Sequence, residues 1–478
     1  MSKEGLAQAV ARMTERGVDP LAIHAFEDAY AQLESGKAGI IPEDDIEPLR
    51  DVTTLESIAA DDDQTVQALA RTAVIKLNGG LGTSMGLSGP KSVLEVRDGL
   101  TFLDVVARQV LALRARHDVQ VPLVLMDSFR TRQESLAALA AYPDLAVDGL
   151  PLDFLQNAEP KLRADDLTPV SWPDDPDLEW CPPGHGDVYV ALMASRVLAA
   201  LRDKGFRYAF LSNSDNLGAT CDPAIPAWMA RESIPYVSEV CDRTLNDRKG
   251  GHLAVRRSDG RVVLRESAMV APEDQEHFQD TRRHSLFHAN NLWVDLDALD
   301  AQMSARDGVL GLPIIINRKT VDPRRPDSTP VIQLESAMGM AIEVFDGSRA
   351  LHVPRSRFRP VKTTNELLLL RSDLYGFGEE FEVVARSTRP DPRVDLDKHY
   401  TQIKQFDARF PGGSPSMIDC TSLTVRGDVT FGAGIRCVGE VVVEADEPFT
   451  VPDGTTLTAT ATVADILGDT VAEGATTS

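Results

Sequence analysis

A prior of roughly 150 residues per domain suggests about three units for a chain of 478 residues. Lys and Arg number 49 against 73 Asp and Glu, a formal net charge of −24. That balance argues against nucleic acid or an anionic membrane surface as a general partner, because both would be repelled. An anionic small ligand stays possible, since salt screens charge beyond roughly 8 Å and a locally basic cleft can hold phosphates in an acidic protein. No apolar run approaches the ~18 residues of a membrane helix; Val121-Pro-Leu-Val-Leu-Met126 and Leu312-Pro-Ile-Ile-Ile316 are among the longest. The start, Met1-Ser-Lys-Glu-Gly-Leu, lacks an apolar signal core. The five cysteines, Cys181, Cys221, Cys241, Cys420 and Cys437, are odd in number and widely spaced. Buried reduced thiols in the cytoplasm are therefore expected, with neither a disulfide framework nor a zinc site.

Residues 1–70 read as an N-terminal helical segment. Leu6, Val10 and Met13, then Ile23, Phe26, Tyr30 and Leu33, recur at helical spacing, with Gly17 and Pro20 between the two pieces. The acidic, Pro-broken stretch Gly39 to Pro48 cannot continue a helix. Residues 71–375 alternate short apolar runs with longer helical stretches. The spacing predicts strands at Ala73–Leu77, Val121–Met126 and Tyr208–Ser212. It predicts helices at Phe102–Arg114, Arg130–Ala141 and Asp187–Lys204. Such alternation implies an α/β unit with a Rossmann-like, mostly parallel central sheet. Residues 376–478 form a third unit. From Ser422 it is rich in Val, Thr and Gly, with short runs such as Leu423-Thr-Val, Val429-Thr-Phe and Val441-Val-Val between turns. A small β-helix is the expectation and a plain β-sandwich the alternative. The end, Glu473 to Ser478, is expected to fray.

The chemistry is expected in Leu77-Asn-Gly-Gly-Leu-Gly-Thr-Ser-Met-Gly-Leu-Ser-Gly-Pro-Lys-Ser92, directly after the first strand of the α/β unit. Gly79, Gly80, Gly82, Gly86 and Gly89 let backbone approach a ligand closely. Successive N–H groups can then cradle phosphate oxygens, and Lys91 adds a positive charge. The stretch is no P-loop, because Gly89 is followed by Pro90 and not by Lys. It also misses G-x-G-x-x-G, whose third small position is Met85. Further on, Asp215 in Ser212-Asn-Ser-Asp-Asn216 follows an apolar strand. Carboxylates at the C-terminal end of a parallel strand point into the ligand crevice, where Asp215 is placed to hold Mg²⁺. An Asx turn is the alternative reading.

These residues closely resemble the nucleotide-binding loop of eukaryotic-type UTP–glucose-1-phosphate uridylyltransferases. Further motifs follow in that family's order: Gln156-Asn-Ala-Glu-Pro-Lys161, Pro182-Pro-Gly-His-Gly-Asp187, Asn213-Ser-Asp-Asn-Leu-Gly218, Ala289-Asn-Asn-Leu-Trp293, Gln333-Leu-Glu-Ser-Ala-Met338 and Arg359-Pro-Val-Lys-Thr-Thr364. The resemblance implies a GT-A-like nucleotidyltransferase fold with a C-terminal left-handed β-helix, and self-association through that β-helix as one possibility. It implies UTP and glucose 1-phosphate as substrates, Mg²⁺ as cofactor, and UDP-glucose and pyrophosphate as products.

Residue by residue, the resemblance implies nucleotide contacts from Leu77, Asn78, Gly79, Gly80, Gly82, Met85, Gln156, Gly184 and Asn213. It implies substrate contacts from His185, Gly186, Asn290, Asn291 and Glu335, the metal on Asp215, and catalytic charges on Lys91 and Lys362. His185 is expected to orient a phosphate or hydroxyl and not to act as a base, since the attacking phosphate oxygen is already anionic. A pyrophosphorylase making UDP-N-acetylhexosamine is the near alternative, but its loop carries Arg where Ser84 stands. A non-catalytic sugar-nucleotide-binding protein is the other alternative, and the joint presence of Lys91, Asp215 and Lys362 speaks against it. The acidity is expected on outer surfaces such as Asp61-Asp-Asp63 and Asp174-Asp-Pro-Asp177, leaving a cleft positive around Lys91 and Lys362.

Overall fold

Every residue of the strand Thr72–Asn78 is buried. A strand covered on both faces by helices must be apolar on both, which is why its run shows no alternation. In the computed structural model, which describes residues 2–36, 39–58, 60–244, 247–248 and 250–462, this strand lies inside a large mixed sheet. Along the sheet the order is Thr53–Thr54, Arg349–His352, Tyr236–Asp242, Leu286–Asp295, Tyr208–Asn213, Thr72–Asn78, Leu123–Asp127 and Asp153–Leu155. Leu286–Asp295 runs antiparallel to both of its neighbours, and the other pairings along this path are parallel. The hairpin His252–Arg256 and Val262–Arg265 branches off the interior strand Leu286–Asp295, where His252 pairs with Phe287. The α/β unit with a mostly parallel central sheet is thus present.

The helix after the glycine loop, Phe102–His117, starts on a capping box in which Thr101 and Asp104 exchange side-chain and backbone hydrogen bonds. It runs past the expected end at Arg114 and stops at Asp118, in the left-handed region at φ 52°. The single helix expected over Asp187–Lys204 is two, Val188–Ala194 and Val197–Asp203. Arg196 breaks it at φ 61°; the apolar spacing carries across the break and hides it.

At the N-terminus, Ser2–Glu15 and Pro20–Glu34 are helices, the second begun by Asp19 accepting from the Leu21 N–H and by Pro20 in the first turn. Ala9, Met13, Phe26 and Tyr30 pack on Leu162, Ile332 and Leu334. At the other end, Arg393–Leu396, Ser416–Arg426, Arg436–Glu444 and Thr456–Thr462 stack in parallel. Val429–Phe431 and Phe449–Val451 pair in parallel in a second, small sheet. Phe410 stacks on Phe431 with centroids 5.0 Å apart, and this apolar cluster is continuous with the core around Phe102 and Phe210. The segment Glu473 to Ser478 lies outside the described residues. All five cysteines are free thiols. Among the described residues no helix is long and apolar enough to cross a membrane.

Candidate active site

The parallel strands Thr72–Asn78 and Tyr208–Asn213 end side by side, with Leu77 opposite Asn213. The loop after the first is closed on itself: Lys91 N donates to Gly80 O at 3.2 Å, and Leu81 bridges Pro90. Its glycines serve different contacts. A Cβ on Gly80 would meet only open space, so that backbone is free to face a ligand. A Cβ on Gly79 would stand 2.7 Å from Gln156 Oε1, and one on Gly86 would collide with Gln402 of the C-terminal region.

Lys91 and Asp215 meet at the centre. Lys91 Nζ donates to Asp215 Oδ2 at 2.7 Å and also to the Val361 carbonyl, while Val361 N donates to Asp215 O at 3.2 Å. The segment carrying Lys362 is therefore laced to the loop carrying Asp215. Lys362 itself is exposed. It lies near Glu266, whose pKa is raised by burial and pulled partly back by that lysine. The basic cleft expected from sequence is more balanced than that: each of its lysines has a carboxylate beside it. The outer acidity is as expected at Asp61, Asp62 and Asp63, all exposed.

On the opposite wall, Gln156 Nε2 donates to Gly184 O at 2.9 Å. Gly184 adopts φ +80°, and a Cβ there would lie 2.5 Å from Ser336 O. Gly186 N donates to Ser336 O, and Ser336 N to Pro183 O. These bonds set the Pro182–Asp187 loop edge to edge with Glu335 and Ser336. Asp187 does not cap its helix; its carboxylate accepts from Asn157 N at 2.7 Å and Asn157 Nδ2 at 2.8 Å, so it fixes the loop carrying Gln156. Burial raises its pKa to about 6. His185 Nδ1 accepts from Met338 N at 3.0 Å, and burial lowers its pKa to about 4. It is therefore a neutral ring near pH 7, with its proton on Nε2.

This chain matches the family described as UTP–glucose-1-phosphate uridylyltransferase over residues 23–437. The potato enzyme of that name, from Solanum tuberosum, is 40% identical over 421 residues, covering 87% of this chain and 84% of the relative. The one from Saccharomyces cerevisiae is 38% identical, covering 86% and 81%. The chain belongs to this uridylyltransferase family. Among solved structures, the UDP-glucose phosphorylase of Trypanosoma brucei superposes with a TM-score of 0.89 at 43% identity, covering 96% of this chain and all of that one. A UDP-glucose pyrophosphorylase variant from Leishmania major in complex with UDP-glucose gives a TM-score of 0.89 at 41% identity, covering 96% and 99%.

Within this uridylyltransferase scaffold the expected site residues divide. Gly79, Gly80, Gln156, Gly184, Gly186, His185, Lys91, Asn213, Asp215 and Asn290 gather at the strand ends and the facing loop. Asn290, at φ 56°, donates to Asn213 Oδ1 at 3.5 Å. Glu335 is partly exposed and has Lys319 Nζ at 3.7 Å. Three side chains point elsewhere. Met85 is buried in the apolar core beneath the loop, so its side chain anchors the loop and cannot reach a nucleotide. The Asn78 amide donates to Asp127 Oδ1 and Ser135 Oγ, both at 2.7 Å, which leaves only its backbone for a ligand. Asn291 is wholly buried and donates to Glu239 Oε2 at 3.0 Å, so it supports the site from behind and does not offer its amide to a sugar. Leu77 and Gly82 shape the loop through backbone: Leu77 O accepts from Ser214 N, and Gly82 leaves room for Leu87.

Sequence reasoning missed Lys76, Glu266 and the buried pair Glu239 and Arg357. Only Lys76 carried a signal, as the charged residue inside an otherwise apolar strand. It is buried; Nζ donates to Ser212 Oγ at 2.7 Å and Ala219 O at 2.8 Å, and burial lowers its pKa to about 7.

Proposed function

We infer that this chain joins UTP and glucose 1-phosphate into UDP-glucose and pyrophosphate. The observation that carries the reading is the Lys91–Asp215–Val361 junction, which brings glycine loop, acidic strand end and lysine segment to one point. UTP lies along the glycine loop, its uracil against the surface that Gly79, Gln156 and Gly184 form together. The sugar phosphate enters past Asn213 and Asn290. One of its phosphate oxygens attacks the α-phosphorus; the bond to the β-phosphate oxygen breaks, and pyrophosphate leaves. No base is required, because the nucleophile is already anionic. Lys91 and Lys362 offset the charge that builds on the α-phosphate. His185 Nε2–H donates to a phosphate or hydroxyl oxygen.

The donor set at Asp215 suits Mg²⁺. Its Oδ1 is buried without a hydrogen-bond partner, and among the described residues no cluster of three or more His, Cys, Asp or Glu could hold a metal unaided. A cation that binds through one carboxylate and substrate phosphates fits such a site. Held there by Asp215, Mg²⁺ would supply positive charge to offset that of the triphosphate.

The same reading divides the chain into an N-terminal segment at 1–70, helical up to Glu34 and then contributing Thr53–Thr54 to the central sheet, a catalytic unit at 71–375 and a C-terminal unit at 376–478. The parallel register of the C-terminal strands supports a left-handed β-helix there, through which copies of the chain associate. Five free thiols suit the cytoplasm.

Pyrophosphate release with UTP, Mg²⁺ and each sugar phosphate in turn tests the reading. Release should depend on glucose 1-phosphate. Release with N-acetylhexosamine 1-phosphate alone, or none with any sugar, overturns it.

A further inference from the structure

Beneath the Lys91–Asp215 junction lies a buried ion pair that touches no expected substrate. Glu239 comes from the strand Tyr236–Asp242 and is fully buried. Its carboxylate accepts from Arg357 Nη2 at 2.6 Å, Arg357 Nε at 2.8 Å, Trp293 Nε1 at 2.9 Å and Asn291 Nδ2 at 3.0 Å. Both oxygens are satisfied by a fork-on-fork contact plus two neutral donors, the arrangement that holds an arginine in one orientation. The guanidinium also donates to Thr220 O at 2.9 Å.

What Arg357 does with its backbone matters more. Its carbonyl accepts from Asn216 Nδ2 at 3.1 Å and Asn291 Nδ2 at 3.2 Å. Asn216 Nδ2 also reaches Asn291 Oδ1 at 3.3 Å, and its own Oδ1 accepts from Arg359 N at 2.8 Å. Asn216 is the residue next to Asp215, and Arg359 stands three before Lys362. Gly218 leaves no room above it, since a Cβ would collide with Ser356 O. The segment Ser356 to Val361 is thereby seated on the loop Asn213–Gly218 from below by Arg357 and from the side by Asn216.

We propose that Glu239, through Arg357, Asn291 and Asn216, is a positioning residue that sets Lys362 at its distance from Asp215 and Lys91. The proposal rests on the uridylyltransferase reading and names residues within it that make no contact with substrate. Arg357 also lowers the pKa of Glu239 against the opposing effect of burial, so the carboxylate is charged at neutral pH and the pair is ionic. A glutamine at 239 keeps shape but loses the charge and one acceptor oxygen. The Arg357 guanidinium is then no longer locked, and its backbone is held only by Asn216 and Asn291. A shift of about 1 Å in a charged group at the reacting phosphate costs up to about 100-fold in rate.

The test is a double-mutant cycle on steady-state pyrophosphate release from UTP, Mg²⁺ and glucose 1-phosphate, with thermal melts alongside. Glu239→Gln should lower kcat about 10-fold or more, with KM for both substrates changed less than about 3-fold. Groups that act as one unit are not additive, so Glu239→Gln combined with Lys362→Ala should be no more than about 3-fold slower than Lys362→Ala alone. An unchanged kcat for Glu239→Gln, or losses that multiply in the double variant, overturns the proposal. Should Glu239→Gln fail to fold, Asn216→Ala replaces it in the same cycle, since it removes the bridge without stranding a buried charge, and the same outcomes decide. A wild-type chain that releases no pyrophosphate overturns the function reading itself, a result distinct from an active wild type indifferent to Glu239.

Discussion

Lys91 Nζ lies 2.7 Å from Asp215 Oδ2, joining the end of the glycine loop to the end of the neighbouring strand. The side chains are only 13% and 23% exposed, so the cost of withdrawing both charges from water offsets much of their attraction and the pair itself adds little net stability. Its consequence is electrostatic. The lysine neutralises one oxygen of a carboxylate whose other oxygen has no partner, which holds the Asp215 carboxylate aimed at one point. Asp215→Asn should therefore cut turnover at least about 100-fold, on the scale of losing a fixed charge at a phosphoryl transfer. Excess Mg²⁺ should not restore it, and the melting temperature should stay close to wild type. Rescue by Mg²⁺ alone would place the metal elsewhere.

Lys362 offers the complementary case. It is exposed in the free protein and has little packing to lose. Lys362→Ala should lower kcat by at least about 100-fold with an unchanged melt. A near-wild-type rate in that variant would remove this lysine from the chemistry.

Gly184 is the third position where a single change is decisive. At φ +80° and ψ 177° it occupies a region that only glycine enters readily, and its Cα faces Ser336 O. Gly184→Ala should cost on the order of 1–3 kcal/mol of local strain. The loop should relieve that strain by moving off Ser336, which displaces the carbonyl that Gln156 binds. Calorimetric titration with UTP should show weakened binding, while binding of pyrophosphate, which has no base, should hardly change. Equal loss for both ligands would mean that the whole cleft had shifted.

Much of this arrangement was legible in the sequence. The strand, glycine loop and Lys91 could be read in order because they are contiguous. Asp215 could be read because a carboxylate after an apolar strand has few other places to point. The side-chain directions of Met85, Asn78 and Asn291 were not legible for one reason: neighbouring residues in a loop or strand face opposite ways, so a motif does not say which of its side chains turn inward. Asn290 is half-buried and bonds Asn213, whereas its neighbour Asn291 is wholly buried and bonds Glu239. Glu239 and Arg357 could not be paired at all, being 118 residues apart with no local pattern to link them. The break at Arg196 was invisible because the apolar spacing ran through it.

Lys76 makes a prediction about pH. It is 2% exposed, and burial lowers its pKa to about 7, whereas an unfolded lysine titrates near 10.4. Below about pH 7 both states hold the proton, and folding bears the full cost of burying the charge. As the pH rises from about 7 toward about 10, the folded chain gives up this proton while the unfolded chain keeps it. The unfolded state then binds more protons, so the Lys76 contribution to stability increases with pH. Lys76→Met has no such group and lacks this slope. The stability of wild type relative to Lys76→Met should therefore grow between about pH 7 and about pH 9.5, by on the order of a few kcal/mol. Urea melts of both proteins at the two pH values measure it. The same stability difference at both would show that the amine under the glycine loop keeps its proton, held charged by the Glu239 and Asp215 carboxylates against burial and the Arg357 cation.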